Sequence, residues 1–188
     1  NADDPPSLAM AASARSQRLL FSLRGSIPEG VVVSGNAIVR RSGGAEQPLV
    51  PLSSVKLLGP HLVADVLAAA AVAWLAGVEP EAMTRAVEGF TGLEHALEPV
   101  VECGGVRFVN DSKATNVEAA RRAIESFGPG LVAIMGGRFK GGDLHALAAP
   151  LQERQATVVA IGEARPLLHE ALDAGVTVRD AADMGSAV

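Results

Sequence analysis

Apolar positions change rhythm along this chain, and the changes mark its elements. From His61 to Ala76 the residues are apolar nearly all round, which predicts a buried helix ended by Gly77 as C-cap. The run Val66–Ala76 is shorter than the roughly 20 apolar residues a bilayer span needs. A second helix is expected over 80–89, with Pro80 suited to its first turn. Upstream, 7–15 predicts a short helix and 19–23 a strand. The apolar runs 31–34 and 37–40 flank Gly35-Asn36, a two-residue hairpin signal. Residues 41–48 are polar and glycine-rich and predict a turn or loop.

The second half has a different beat. Apolar runs at 106–109, 131–135 and 157–161 alternate with helical patterns at 114–127, 143–153 and 163–174, and a short strand is expected at 176–178. This alternation implies βαβ units, a parallel sheet and strands buried on both faces. In the helix at 114–127, Val117, Ala120, Ile124 and Phe127 form an apolar stripe. Glu118 with Arg122, and Arg121 with Glu125, can pair on the wet side. The segment 90–99 breaks both rhythms and is the expected domain boundary.

Composition narrows the class. The chain has 188 residues, 48% of them hydrophobic, so disorder is not expected. A net charge of −5 without a basic, aromatic-rich face argues against nucleic acid. One cysteine, Cys103, excludes an intramolecular disulfide, and four scattered histidines give no zinc spacing. The chain opens on NADDPP without a methionine, has no visible signal peptide and stops in mid-pattern. It reads as a piece of a longer protein.

Candidate chemistry lies at the expected carboxyl ends of the strands, where open parallel sheets bind ligands. Those ends carry NDSKATN (110–116), GGRFKGGD (136–143) and GEAR (162–165). Lys113 and Lys140 could meet above the sheet. Two ammonium groups and a helix N-terminus favour an anion, and the glycines let backbone approach it. Plainer readings stand beside this one. Asp111 or Ser112 could simply cap a helix starting at Ala114, and Lys113 could be solvated. GGxxKGG does not match the phosphate-loop pattern GxxxxGK[ST], which favours ordinary loop chemistry there. His61 and Asp65, four apart on one helix face, could pair locally. His95, His145, His169 and Cys103 read as structural or surface groups.

Three segments in order resemble a known family: GLEHALE (92–98), GGVRFVNDSKATN (104–116) and IMGGRFKGGD (134–143). They are similar to the Mur ligases, and NDSKATN is similar to the branch that adds D-glutamate. LLGPHLVADVLAAAAVAWLAG (57–77) and the opening NADD extend the likeness. The resemblance implies an α/β chain: the end of a central ATPase domain over 1–92, then an incomplete Rossmann-like amino-acid-binding domain over 93–188 with a mostly parallel sheet. It also implies an ADP-forming amide ligase that joins D-glutamate to UDP-N-acetylmuramoyl-L-alanine through an acyl phosphate. ATP and Mg2+ would be needed, with the phosphate loop and magnesium ligands outside this chain. Such an enzyme is expected to be cytoplasmic and monomeric, acting on small molecules with no membrane span.

By motif, Lys113, Thr115, Lys140 and Ser112 would bind the amino acid. His95 and Lys113 would act at the reacting centre, and Asp111, Asp65 and His61 would face the nucleotide. Departures fall on the nucleotide side. The family's HNxxN reads His61-Leu62-Val63-Ala64-Asp65 here, and the arginine after the hinge histidine is Ala96. Asp65 can only accept hydrogen bonds when ionised. These changes keep a second reading open, a catalytically weakened or non-catalytic homologue acting as a binding module. A generic Rossmann nucleotide domain is a third, opposed by the lack of GxGxxG after any expected strand.

Overall fold

The computed structural model describes residues 1–172 and 175–188, and it divides into two compact units, Asn1–Gly92 and Leu93–Val188. In the first unit, Asp4 caps helix α1 (Pro5–Ala12) by accepting from the Ser7 amide at 2.9 Å, and Pro5 pre-sets its first turn. The helix therefore starts two residues before the expected 7–15. Strand β1 is only Phe21–Ser22, a remnant of the strand expected at 19–23, and pairs in parallel with β2 (Gly30–Ser34). β2 turns at Gly35-Asn36 into antiparallel β3 (Ala37–Ser42), as the hairpin signal predicts.

The turn or loop expected at 41–48 is present only as a turn at Gly43-Gly44, and the rest of that segment is strand. Gly43 and Gly44, with φ of 58° and 79°, make a second two-residue turn into β4 (Ala45–Pro51). β4 is the edge of the sheet, and its first four residues are exposed, so it shows no apolar alternation to read. After a 3-10 turn (Leu52–Ser54) come α2 (Pro60–Leu75), followed by Gly77 at φ 76°, and α3 (Pro80–Gly89). Val66, Leu67, Ala70 and Ala71 of α2 pack on Val31, Ile38, Leu49 and Val50 of the sheet. Each large side chain buried there contributes about 1.5–3 kcal/mol.

The second unit opens with a hairpin, β5 (Glu98–Cys103) and β6 (Val106–Asn110), joined at Gly104-Gly105. Both glycines have positive φ, 58° and 78°, as a tight hairpin turn requires. This corrects two expectations. The apolar run at 106–109 belongs to this two-stranded antiparallel sheet, and it does not join the parallel one. β6 is also largely exposed.

The chain continues through α4 (Val117–Glu125), β7 (Val132–Gly136), a 3-10 turn (Leu144–Leu147) and α5 (Ala148–Glu153). Then follow β8 (Thr157–Ile161), a 3-10 turn (Gly162–Ala164), α6 (Arg165–Leu172), β9 (Thr177–Asp180) and α7 (Met184–Ala187). Positions 173 and 174 of the helix expected at 163–174 lie outside the described residues. β7, β8 and β9 form a parallel three-stranded sheet in that order. Its core joins Val158 and Ala160 to Ile124, Leu151, Leu168 and Leu172. The strands are not buried on both faces: Val158 and Ala160 are fully buried, while their neighbours in β8 are half-exposed and Val132 of β7 is exposed.

Candidate functional site

The NDSKATN segment leaves β6 as a folded turn rather than a helix start. The Ala114 amide donates to the Asp111 carbonyl at 2.9 Å, and the Thr115 amide to the Lys113 carbonyl at 2.9 Å. The helix cap is Asn116, whose side chain accepts from the Ala119 amide at 2.8 Å. Capping by Asp111 or Ser112 is thereby corrected, because the helix begins at Val117 and those residues lie too far upstream to reach its first amides. Once released from capping, Asp111 serves elsewhere. Its Oδ1 accepts from the Leu97 amide at 3.0 Å.

That bond is one of several that stitch the turn to the segment 93–98. The Lys113 amide donates to the His95 carbonyl at 3.0 Å. The Asn110 carboxamide lies 2.9 Å from His95 Nδ1, and its oxygen accepts from the Ser112 amide at 3.0 Å. Glu98 accepts from the His95 amide at 2.8 Å. His95 and Leu97 hold φ of 66° and 46°, a conformation that costs a side-chain-bearing residue roughly 1–2 kcal/mol. These bonds offset that cost, so the backbone around His95 is fixed from both sides. Asn110 and Glu98 are the participants that sequence reasoning missed. Asn110 stood inside the quoted motif, but nothing in its spacing signalled a bridging role.

The second lysine lies on the loop between β7 and the 3-10 turn. Gly142 of this loop packs against Val117, the first residue of α4, so closely that an added Cβ would lie 2.9 Å from Val117 Cγ2. Asp143 caps the following turn through the His145 amide at 3.0 Å. The loops bearing Lys113 and Lys140 therefore meet at the start of α4. They do not share a sheet edge, as β6 and β7 belong to different sheets. Lys113, Ser112, Thr115 and Lys140 are exposed, and among the described residues neither lysine ammonium has an ion-pair partner. Two unneutralised cations beside a helix N-terminus suit a ligand with anionic groups.

On α4, Glu118 takes hydrogen bonds first from Arg121 and then from Arg122, which lower its carboxyl to a pKa of about 2. Arg121 also pairs with Glu125 at 2.5 Å. These charges neutralise one another along α4. In the first unit, His61 is half-buried in the first turn of α2, and Asp65 is exposed one turn later on the same face. Among the described residues, no group of three His, Cys, Asp or Glu side chains could hold a metal ion. No helix among them is long and apolar enough to cross a membrane.

No family model matches the chain. Curated relatives do. It is 39% identical over 170 residues to a UDP-N-acetylmuramoylalanine–D-glutamate ligase of Syntrophus aciditrophicus, covering 90% of this chain and 38% of that protein. It is 43% identical over 190 residues to the protein of the same name from Acidobacterium capsulatum, covering 100% of this chain and 41% of that protein. The fold is shared with solved structures at lower identity. One is the UDP-N-acetylmuramate-alanine ligase MurC of Thermotoga maritima (TM-score 0.55, 17% identity, 68% of this chain and 30% of that chain). Another is MurF of Acinetobacter baumannii (TM-score 0.56, 20% identity, 80% and 35%). Fold and sequence together place this α/β chain in the Mur ligase family. Within it, the relatives matched across the chain are D-glutamate ligases, and the chain spans about two fifths of their length.

Proposed function

We propose that this chain is the part of a D-glutamate-adding ligase that holds the amino acid. Residues 1–92 would be the late part of the central ATPase domain, and 93–188 most of the C-terminal domain. The observation that carries the proposal is the meeting of the Lys113 and Lys140 loops at the start of α4, in a chain similar throughout to D-glutamate ligases. In the complete protein, the carboxylate of UDP-N-acetylmuramoyl-L-alanine attacks the γ-phosphorus of ATP and releases ADP. The amine of D-glutamate then adds to the acyl carbon, loses a proton, and the intermediate expels phosphate to leave the amide. Magnesium, when bound, screens the phosphate charges, and no residue of this chain is assigned to it.

The residues of this chain bind and orient. Lys113, Lys140 and the Thr115 hydroxyl hold the D-glutamate carboxylates, with Ser112 beside them. The fixed positive charge also favours an anionic transition state, where preorganised cations assist most. His95, held by Asn110 and Glu98, lies near the reacting centre. Asp111, His61 and Asp65 face the nucleotide side. Such an enzyme works on small molecules in the cytoplasm and needs no nucleic acid.

The test is ADP release in the presence of ATP, UDP-N-acetylmuramoyl-L-alanine and D-glutamate. The complete protein should release ADP only when all three are present, and this chain alone should release none. Turnover by the chain alone, or none by the complete protein, would contradict the proposal. A second reading, a binding module that keeps the amino-acid site and has lost ATP, is favoured by Leu62, Asp65 and Ala96 standing where the resemblance expects asparagine, asparagine and arginine. It predicts D-glutamate binding without ADP release.

A further inference from the structure

The Lys140 loop is held at its other end by the third polar strand end, residues 162–165, which has no role in the site so far. β7 ends at Gly136, at φ 155°, where a Cβ would lie 2.0 Å from the Ile161 carbonyl oxygen. The next strand, β8, ends at Ile161, and Gly162 follows at φ 66°. A Cβ on Gly162 would meet the Gly137 nitrogen at 3.1 Å and its Cα at 3.2 Å. The two strand ends are also bonded to each other. The Gly137 amide donates to the Ile161 carbonyl at 3.3 Å, and the Ala164 amide to the Gly137 carbonyl at 3.1 Å. The Arg165 guanidinium closes the turn by donating from Nε to the Gly162 carbonyl at 3.2 Å. Gly137 is thus gripped by backbone on both its donor and acceptor sides, three residues before Lys140.

We infer that Gly162 is a positioning residue for Lys140. Its missing side chain lets the Ile161–Arg165 turn close on Gly137, while Gly142 against Val117 fixes the far end of the same loop. The ammonium of Lys140 is then set relative to Lys113 by two contacts, one on each side of the lysine: Gly162 on the Gly137 backbone and Gly142 on the Val117 side chain. A methyl group at 162 has two effects. It strains a left-handed residue, and it displaces the Gly137 backbone by a few tenths of an ångström, since backbone cannot swing aside as a flexible side chain can. A carboxylate site built from point charges is sensitive to such a shift, because substrate-positioning groups act through geometry.

This inference rests on the proposed amino-acid site, and the experiment separates the two. In the complete protein, kcat and the KM for D-glutamate and for ATP are measured for Gly162→Ala, Lys140→Ala and the double variant. Gly128→Ala serves as control, since a Cβ there meets open space. Gly162→Ala should raise the D-glutamate KM about tenfold, roughly 1.4 kcal/mol, with the ATP KM unchanged. In the Lys140→Ala background it should add no further rise, the non-additivity expected of a residue acting through its neighbour. If Lys140→Ala leaves the D-glutamate KM unmoved, the site reading itself fails. If Lys140→Ala raises it and Gly162→Ala does not, or the two effects simply add, the positioning role is overturned. Should Gly162→Ala fail to fold, Arg165→Ala takes its place, because it opens the same turn without adding bulk. The same rise and the same non-additivity with Lys140→Ala are expected, and additivity or no rise overturns the inference.

Discussion

At the scale of single residues, the NDSKATN turn is held by a residue that its charges hide. Asn110 bridges the His95 ring and the Ser112 amide, so it ties a motif side chain to the backbone that carries Lys113. Asn110→Ala should cost about 1 kcal/mol, which lowers Tm by roughly 2–8 °C. In the complete protein it should also raise the D-glutamate KM. A thermal melt with parallel kinetics checks both, and a variant unchanged in both would remove Asn110 from the site. Glu118 makes a separate prediction. Its carboxyl is depressed from 4.5 to about 2 by Arg121 and Arg122. A folded pKa below the unfolded one adds stability above about pH 4.5, which is lost as pH falls toward 2. Glu118→Gln should therefore flatten the acid limb of a urea-midpoint profile between about pH 5 and about pH 2. The effect will be small, because the pair is half-exposed and screened. An unchanged acid limb would contradict it.

At the scale of elements, α4 links structure to site, because its first residue meets the Lys140 loop and its cap ends the Lys113 loop. Asn116→Ala should destabilise the unit by about 0.5–2 kcal/mol, read as a lower urea midpoint with unchanged slope. An unmoved midpoint would show that the cap contributes nothing. The elements that sequence revealed are those with a buried stripe or a turn signal between apolar runs. α2, α3, the Gly35-Asn36 hairpin and the alternation of β7, β8 and β9 with helices all read correctly. β4 and β5 did not, because β5 is exposed nearly throughout and β4 over its first four residues, and neither alternates. Their signals were the glycine pairs Gly43-Gly44, which reads only as part of a turn or loop, and Gly104-Gly105, to which the pattern assigns no turn; both are hairpin turns. The consequence reached the site. With β5 unseen, β6 was assigned to the parallel sheet, and the closeness of the two lysine loops was credited to a shared edge. The structure achieves it through Gly142 and Val117. The lysines themselves were legible because charge at a strand end is a sequence property. Asn110 and Gly162 were not, because their roles depend on which segments lie side by side; the Asn116 cap is a local signal, hidden by the equally good capping residues Asp111 and Ser112 upstream.

At the scale of the whole molecule, each unit has its own buried cluster, one around Leu67 and the other around Leu151. Trp74, the single tryptophan, packs against the first cluster and reports on it. Leu151→Ala, at a fully buried position, should cost about 2–5 kcal/mol in the second unit. Circular dichroism should record that loss, while the Trp74 fluorescence midpoint moves little. Equal shifts of both probes would mean that the units unfold as one. The central claim is that this chain supplies the amino-acid half of a D-glutamate ligase. The most direct measurement is the kcat/KM for D-glutamate of the complete protein, wild type against Lys113→Ala. We expect a fall of at least about tenfold, the loss of one charge-assisted contact, with the ATP KM unchanged. An unchanged kcat/KM for D-glutamate would contradict the account.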